Sequence, residues 1–137
     1  MGERRMTTRV AWMASLLWMG VIFGFSSLPG SSVPVGEYGS FGHFSGYLVL
    51  GALYFVALGG RRRGWRAVAL AVLLASAYGV TDELHQSLVP GRMPDPADWA
   101  TDTAGALTGA LIALGVARWL PADRRAADPE STGRTPQ

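Results

Sequence analysis

Two histidines, a group of carboxylates and one isolated arginine are the residues of this chain that could do chemistry. His43 stands near the start of one apolar stretch, and Asp82, Glu83, His85 and Gln86 close another as DELHQ. Arg92 follows in VPGRMPDP, and Asp98 and Asp102 open a last apolar stretch. A carboxylate that orients a histidine makes an acid/base pair, because imidazole, with a reference pKa of about 6.5, transfers protons at neutral pH. An arginine adds a planar fork that holds a phosphate or a carboxylate. If the helix carrying DELHQ continues through Gln86, Asp82 shares a face with His85 and Gln86 at i+3 and i+4, while Glu83 is turned aside by about 100°. His43, Asp82 and His85 are therefore the candidate catalytic residues, with His85 or His43 as the acid/base group and Asp82 orienting it.

Asp98 and Asp102 lie one turn apart on a face that continues through Gly105 and Gly109, which points this acidic stripe towards close packing. Asp95 and Pro96 read as a helix start, with Asp95 as N-cap, Pro96 at the first position and Asp98 at the third, near the positive end of the helix dipole. Arg92, beside the carboxylates of Asp82, Glu83, Asp95, Asp98 and Asp102, is expected to pair with one of them or with an anionic ligand. Two histidines with Asp82 and one of Glu83, Asp98 or Asp102 would make an N and O ligand set. However, the H-E-x-x-H spacing is absent, and DELH sets Glu83 and His85 on different helix faces, so neither a metal nor a cofactor is expected. The chain has no cysteine, which excludes disulfides, zinc-thiolate sites and a cysteine nucleophile.

The elements that must carry these residues are four apolar runs. They lie near residues 10–25, 41–58, 65–80 and 100–120. A hydrocarbon core of about 30 Å needs about 20 residues of helix, so with flanking residues the spans fall at about residues 8–27, 41–60, 65–84 and 98–120. A soluble bundle would need charges every third or fourth residue, and WRAVALAVLLASAYGV has none after Arg66. Composition agrees. Charged residues are 16% of the 137, against roughly a quarter in a soluble domain, while 49% are hydrophobic. The first run is longer than a signal-peptide core and no clear small-x-small cleavage site follows Phe25, so it reads as an uncleaved span.

Orientation follows from arginine. Eleven of the twelve basic residues, all arginine, flank the first run, fill the connection between the second and third, or follow the fourth; Arg92 alone lies on the other side. By the positive-inside rule both termini are cytoplasmic and the polar cluster faces outward. Trp65, Trp99 and Trp119 fall at span ends, where indoles favour the headgroup boundary. RRRG is a tight turn, SSLPGSSVPVGEYGS a loop without regular helix, and residues 121–137 a disordered cytoplasmic tail. Glycines four apart at Gly20 and Gly24, Gly42 and Gly46, and Gly105 and Gly109 allow close helix packing, either within one bundle or across a homodimer. No basic stripe for nucleic acid emerges.

These residues also carry a resemblance. DELHQSLVPGR (residues 82–92) followed by DWATDTAGALTGAL (98–111) is similar to the signature of the VanZ-like family of small bacterial membrane proteins, and FSSLPG (25–30) and GHFSGYLVLGAL (42–53) resemble its first half. Residues 1–120 would then form one VanZ-like transmembrane domain in the bacterial cytoplasmic membrane, an all-α bundle of four helices. The resemblance implies that the marked polar residues are His43, Asp82, Glu83, Gln86, Arg92, Asp98 and Asp102, here taken as the substrate-binding set. Two departures stand out. Many relatives have asparagine at the position of Asp102, and many have an Asp-Lys pair before the histidine where this chain reads SFGH. The family's namesake is linked to resistance to glycopeptides of the teicoplanin type.

Two functions compete. In one, an outward polar pocket recognises an envelope component such as an anionic lipid headgroup, a cell-wall precursor or a lipophilic glycopeptide. In the other, the same residues form a membrane-embedded enzyme performing acid/base or metal-assisted chemistry on a lipid-linked substrate. A transporter fits less well, since four spans wall an aqueous path thinly and no broken helix interrupts them at mid-membrane.

Overall fold

The computed structural model describes residues 2–32 and 37–120. The expected tail at residues 121–137 lies outside them. Among the described residues the chain is all-helical: α1 (Gly2–Ser26), a 3₁₀ turn (Gly30–Ser32), α2 (Glu37–Ala57), the one-turn α3 (Gly60–Arg63), α4 (Trp65–Gln86) and α5 (Pro96–Trp119). The four long helices contain 25, 21, 22 and 24 residues. At about 1.5 Å per residue even the shortest reaches about 30 Å. Each is apolar enough to cross a membrane.

The helix bounds differ from the expected spans. α1 begins at Gly2, well before residue 8. α2 begins at Glu37, so Glu37–Ser40 are helical and not loop; Pro34 is the last proline before it, and nothing beyond it blocks helical dihedrals. The RRRG turn closes as α3 between Gly59 and Gly64, both at positive φ.

The helices bury little and expose much that is apolar. Met13, Leu16 and Leu17 on α1 are 69%, 63% and 74% exposed. Burying each such side chain is worth about 1.5–3 kcal/mol, so a helix presenting this face is solvated by lipid. Inside, α2 packs most extensively on α5 and also touches α1 and α4. The core joins Tyr47, Leu50, Tyr54 and Phe55 of α2 to small residues: Ala67, Ala71 and Ala75 of α4, and Ala106 and Ala110 of α5.

Glycine sets the α2–α5 distance. A Cβ on Gly105 would lie 2.3 Å from the Phe44 carbonyl oxygen, and one on Gly109 would lie 1.8 Å from that of Leu48. Lipid offers no hydrophobic drive between helices, and such backbone proximity supplies the packing instead. Gly105 and Gly109 are thus used inside the bundle, whereas a Cβ at Gly20 or Gly24 would meet nothing within 4 Å. α1 is tied on by polar contacts: Trp18 Nε1 donates to the Gly46 carbonyl at 2.8 Å and the Tyr78 hydroxyl to that of Met19 at 2.8 Å.

Candidate functional site

At the end of the bundle away from the α2–α4 arginine turn, α5 starts as its sequence dictates. Asp95, with extended backbone, accepts a hydrogen bond from Ala97 N at 2.8 Å and Pro96 takes the first turn, which directs Asp98 and Asp102 down one side of the helix. Gly105, three residues beyond Asp102, draws α5 onto Phe44, the neighbour of His43. The result is a short contact: His43 Nδ1 lies 2.9 Å from Asp102 Oδ1, and His43 Nε2 lies 3.8 Å from Asp98 Oδ2. Asp102 is fully buried. With its carboxylate accepting, the His43 proton sits on Nδ1 and Nε2 is left for other chemistry.

Glu83 joins this group. On α4 the buried residues Ala67, Ala71, Ala75 and Gly79 follow one another at i+4, and the next step is Glu83. Its Oε2 accepts from Asp95 N at 2.8 Å, locking the end of α4 to the start of α5. His43, Glu83 and Asp102 each offer a donor atom within 4.8 Å of the others.

Asp82 and Gln86 face the other flank of α4. Ser26, at the end of α1, donates to Asp82 Oδ1 at 2.6 Å, and Gln86 Nε2 donates to Asp82 Oδ2 at 3.1 Å and to Ser26 Oγ at 3.2 Å. This closed triad corrects the expectation that Asp82 orients His85. His85 instead lies 3.0 Å from Ser27 Oγ through Nε2 and stacks on Phe23 with ring centroids 4.3 Å apart. The reason is tertiary. α1 ends against α4 there, and its serines capture the two side chains separately.

Arg92 is placed by a glycine contact. Gly91 adopts φ of 76°, and a Cβ on Gly30 would lie 1.9 Å from the Gly91 carbonyl oxygen. Gly30 N donates to the Pro90 carbonyl at 3.1 Å, so the α1–α2 and α4–α5 connections are stitched together backbone to backbone. Arg92 then extends along α1, where Nη2 makes a long 3.5 Å contact to the Phe25 carbonyl, and its buried Nε has no protein partner. Among the described residues no carboxylate pairs with it, which leaves the other expected partner, an anionic ligand.

A cavity of about 510 Å³ runs between α1 and α2 up to this end. Trp18, Val21, Ile22, Phe25 and Leu28 form an apolar wall with Val49 opposite, and Ser26, His43, Tyr47, Asp82, Gln86 and Arg92 supply the polar part. Volumes of roughly 300–1,000 Å³ suit ligands of drug size. Of the expected site residues, His43, Asp82, Gln86 and Arg92 line the cavity; Glu83, Asp98 and Asp102 stand behind His43; His85 is outside.

Charge and periodicity did not single out Ser26 or Tyr47. Tyr47 follows His43 by one helical turn, which was the available signal, and its buried hydroxyl has no protein partner. Ser26 has no such local mark, because its partner is 56 residues away.

Comparison with protein-family models matches residues 11–118 to VanZ/LLP1. The chain belongs to the VanZ/LLP1 family. It is an all-α, multi-pass membrane protein, and all of the site lies inside the matched region. The searches of curated proteins and of solved structures return no match. Asp102 grips His43, and among the described lining residues Arg92 is the cation at the cavity.

Proposed function

We propose that this VanZ-like protein binds an amphiphile of the bacterial envelope in the cavity between α1 and α2, at the outer face of the cytoplasmic membrane. The observation that carries the reading is the joining of a lipid-like apolar wall to a guanidinium that has no carboxylate partner among the described residues. Acyl or prenyl carbons lie along Val21, Ile22, Phe25 and Val49, and a phosphate or carboxylate headgroup meets Arg92. An unpaired cation in a half-dry cavity favours an anion over a zwitterion, because the ligand's charge replaces lost hydration. The arginine asymmetry supports an outward opening.

Lipid phosphate and the phosphate of a lipid-linked cell-wall precursor share this chemistry, and a lipophilic glycopeptide would present a carboxylate and an acyl chain. Mass spectrometry of the lipids that co-purify with wild type and with Arg92→Ala separates these sources. One anionic species enriched with wild type and lost with Arg92→Ala is the expected result. Identical lipid profiles would overturn the reading.

One observation favours chemistry beyond binding. His43 lines the cavity and is held by a buried carboxylate, the arrangement of an oriented acid/base group. As an enzyme, the protein would use His43 on a bound lipid-linked substrate while Arg92 holds its anion. His43→Gln would then abolish turnover of the co-purified species yet keep it bound.

A further inference from the structure

The cavity reading uses one face of His43 and one oxygen of each buried acid behind it. Asp102 is 0% and Glu83 8% exposed. Each has one carboxylate oxygen committed, Asp102 Oδ1 to His43 and Glu83 Oε2 to Asp95 N. The other oxygen of each, Asp102 Oδ2 and Glu83 Oε1, is buried with no hydrogen-bond donor. Buried carboxylate oxygens are ordinarily satisfied, since an unpaired one forfeits its hydration. Two buried acids, each with an unpaired oxygen and each with a donor atom within 4.8 Å of an imidazole nitrogen, call for a positive partner.

The protein supplies little. Among the described residues, the ion pairs near the cluster are those of His43 with Asp98 and Asp102, and no arginine pairs with Glu83 or Asp102. As carboxylates, Glu83 and Asp102 would set two negative charges against at most one positive charge on His43. A cation bound at about 2.0–2.2 Å from each donor holds those donors no more than about 4.4 Å apart. The observed spread of up to 4.8 Å is within small side-chain rotations of that arrangement. Asp98 Oδ2, 3.8 Å from His43 Nε2, is the next donor, on the more exposed side.

We propose that His43, Glu83 and Asp102 form a binding site for one divalent first-row transition-metal cation. One imidazole with two or three carboxylates is a mixed N and O set, suited to Mn²⁺, Fe²⁺ or Zn²⁺ and poor for Cu⁺. This revises the expectation of no metal, which rested on H-E-x-x-H spacing and on two histidines acting together. Here the ligands come from three helices and His85 takes no part. The site borders the cavity through His43 but stands independently of what the cavity binds.

The test uses the full-length chain in detergent, stripped with chelator. Mn²⁺ is titrated by loss of its free EPR signal and Zn²⁺ by calorimetry. One equivalent is expected for wild type and for His85→Ala, with affinity falling by about 100-fold or more in Asp102→Asn and Glu83→Gln, since lost outer-sphere partners alone cost about 10–100-fold. Saturating cation should also raise the Tm of wild type, a readout that needs no variant to fold. Failure of wild type to bind either cation, with no rise in Tm, overturns the proposal, as does Asp102→Asn binding like wild type. Lipid retention measured on the same stripped protein is a separate result, so loss of one reading is distinguishable from loss of the other.

Discussion

Replacing Gly105 by alanine tests whether glycine packing holds the site together. The new Cβ would sit 2.3 Å from the Phe44 carbonyl oxygen, where real contacts begin at about 3.0–3.4 Å, so α5 must retreat from α2 by about 0.7–1.1 Å. His43 precedes Phe44 and Asp102 is one turn before Gly105, so the retreat acts on their 2.9 Å contact. Stretched by that amount, it reaches about 3.6–4.0 Å and is no longer a hydrogen bond. Overpacking costs about 1–3 kcal/mol, and loss of a buried bond to a charged group about 1.5–3 kcal/mol. Gly105→Ala should therefore destabilise by about 2.5–6 kcal/mol. Gly24→Ala is the control. Its Cβ meets nothing within 4 Å, and alanine favours helix by about 0.5–1 kcal/mol, so it should be neutral or stabilising. Unfolding of both variants in mixed micelles by SDS titration gives the comparison. Equal stability of Gly105→Ala and Gly24→Ala would refute the reasoning.

Ser26→Ala removes the 2.6 Å donor to Asp82 Oδ1 and should cost about 1–3 kcal/mol in the same titration, with Ser26→Thr recovering most of it. Trp18→Phe keeps the apolar wall but loses the bond to the Gly46 carbonyl, so it should cost only about 0.5–1.5 kcal/mol and weaken lipid retention less than Arg92→Ala does. Because the chain has no native cysteine, single cysteines report topology directly. In intact cells Met93→Cys, at an 86% exposed position, should react with a membrane-impermeant maleimide, and Arg62→Cys only after lysis.

The helices were legible because hydropathy and the arginine pattern act locally. The start of α5 was legible because Asp-Pro capping needs only adjacent residues. Partners across helices were not. Helical rotation correctly separates Asp82 from Glu83, yet it cannot say that one flank of α4 meets the serines of α1 and the other meets α5. The pairing of Asp82 with His85 fails for that reason: i+3 spacing permits it, and Ser26, Ser27 and Phe23, more than 50 residues away, outcompete it. Glu83 could have been placed inward from the i+4 series through Ala71, Ala75 and Gly79, a packing signal and not a charge signal. Arg92 looks paired when charges are counted, but the backbone contact of Gly30 with Gly91 sets it beside the end of α1, where it reaches the Phe25 carbonyl.

Native mass spectrometry of delipidated protein, titrated with an anionic and a zwitterionic phospholipid of identical acyl chains, probes the cavity most directly. Wild type should take up the anionic lipid at least about 10-fold more tightly, a difference of about 1.4 kcal/mol, and Arg92→Ala should bind both alike. Equal binding of the two lipids by wild type, or a preference that survives Arg92→Ala, would contradict the assignment of the cavity to an anionic amphiphile.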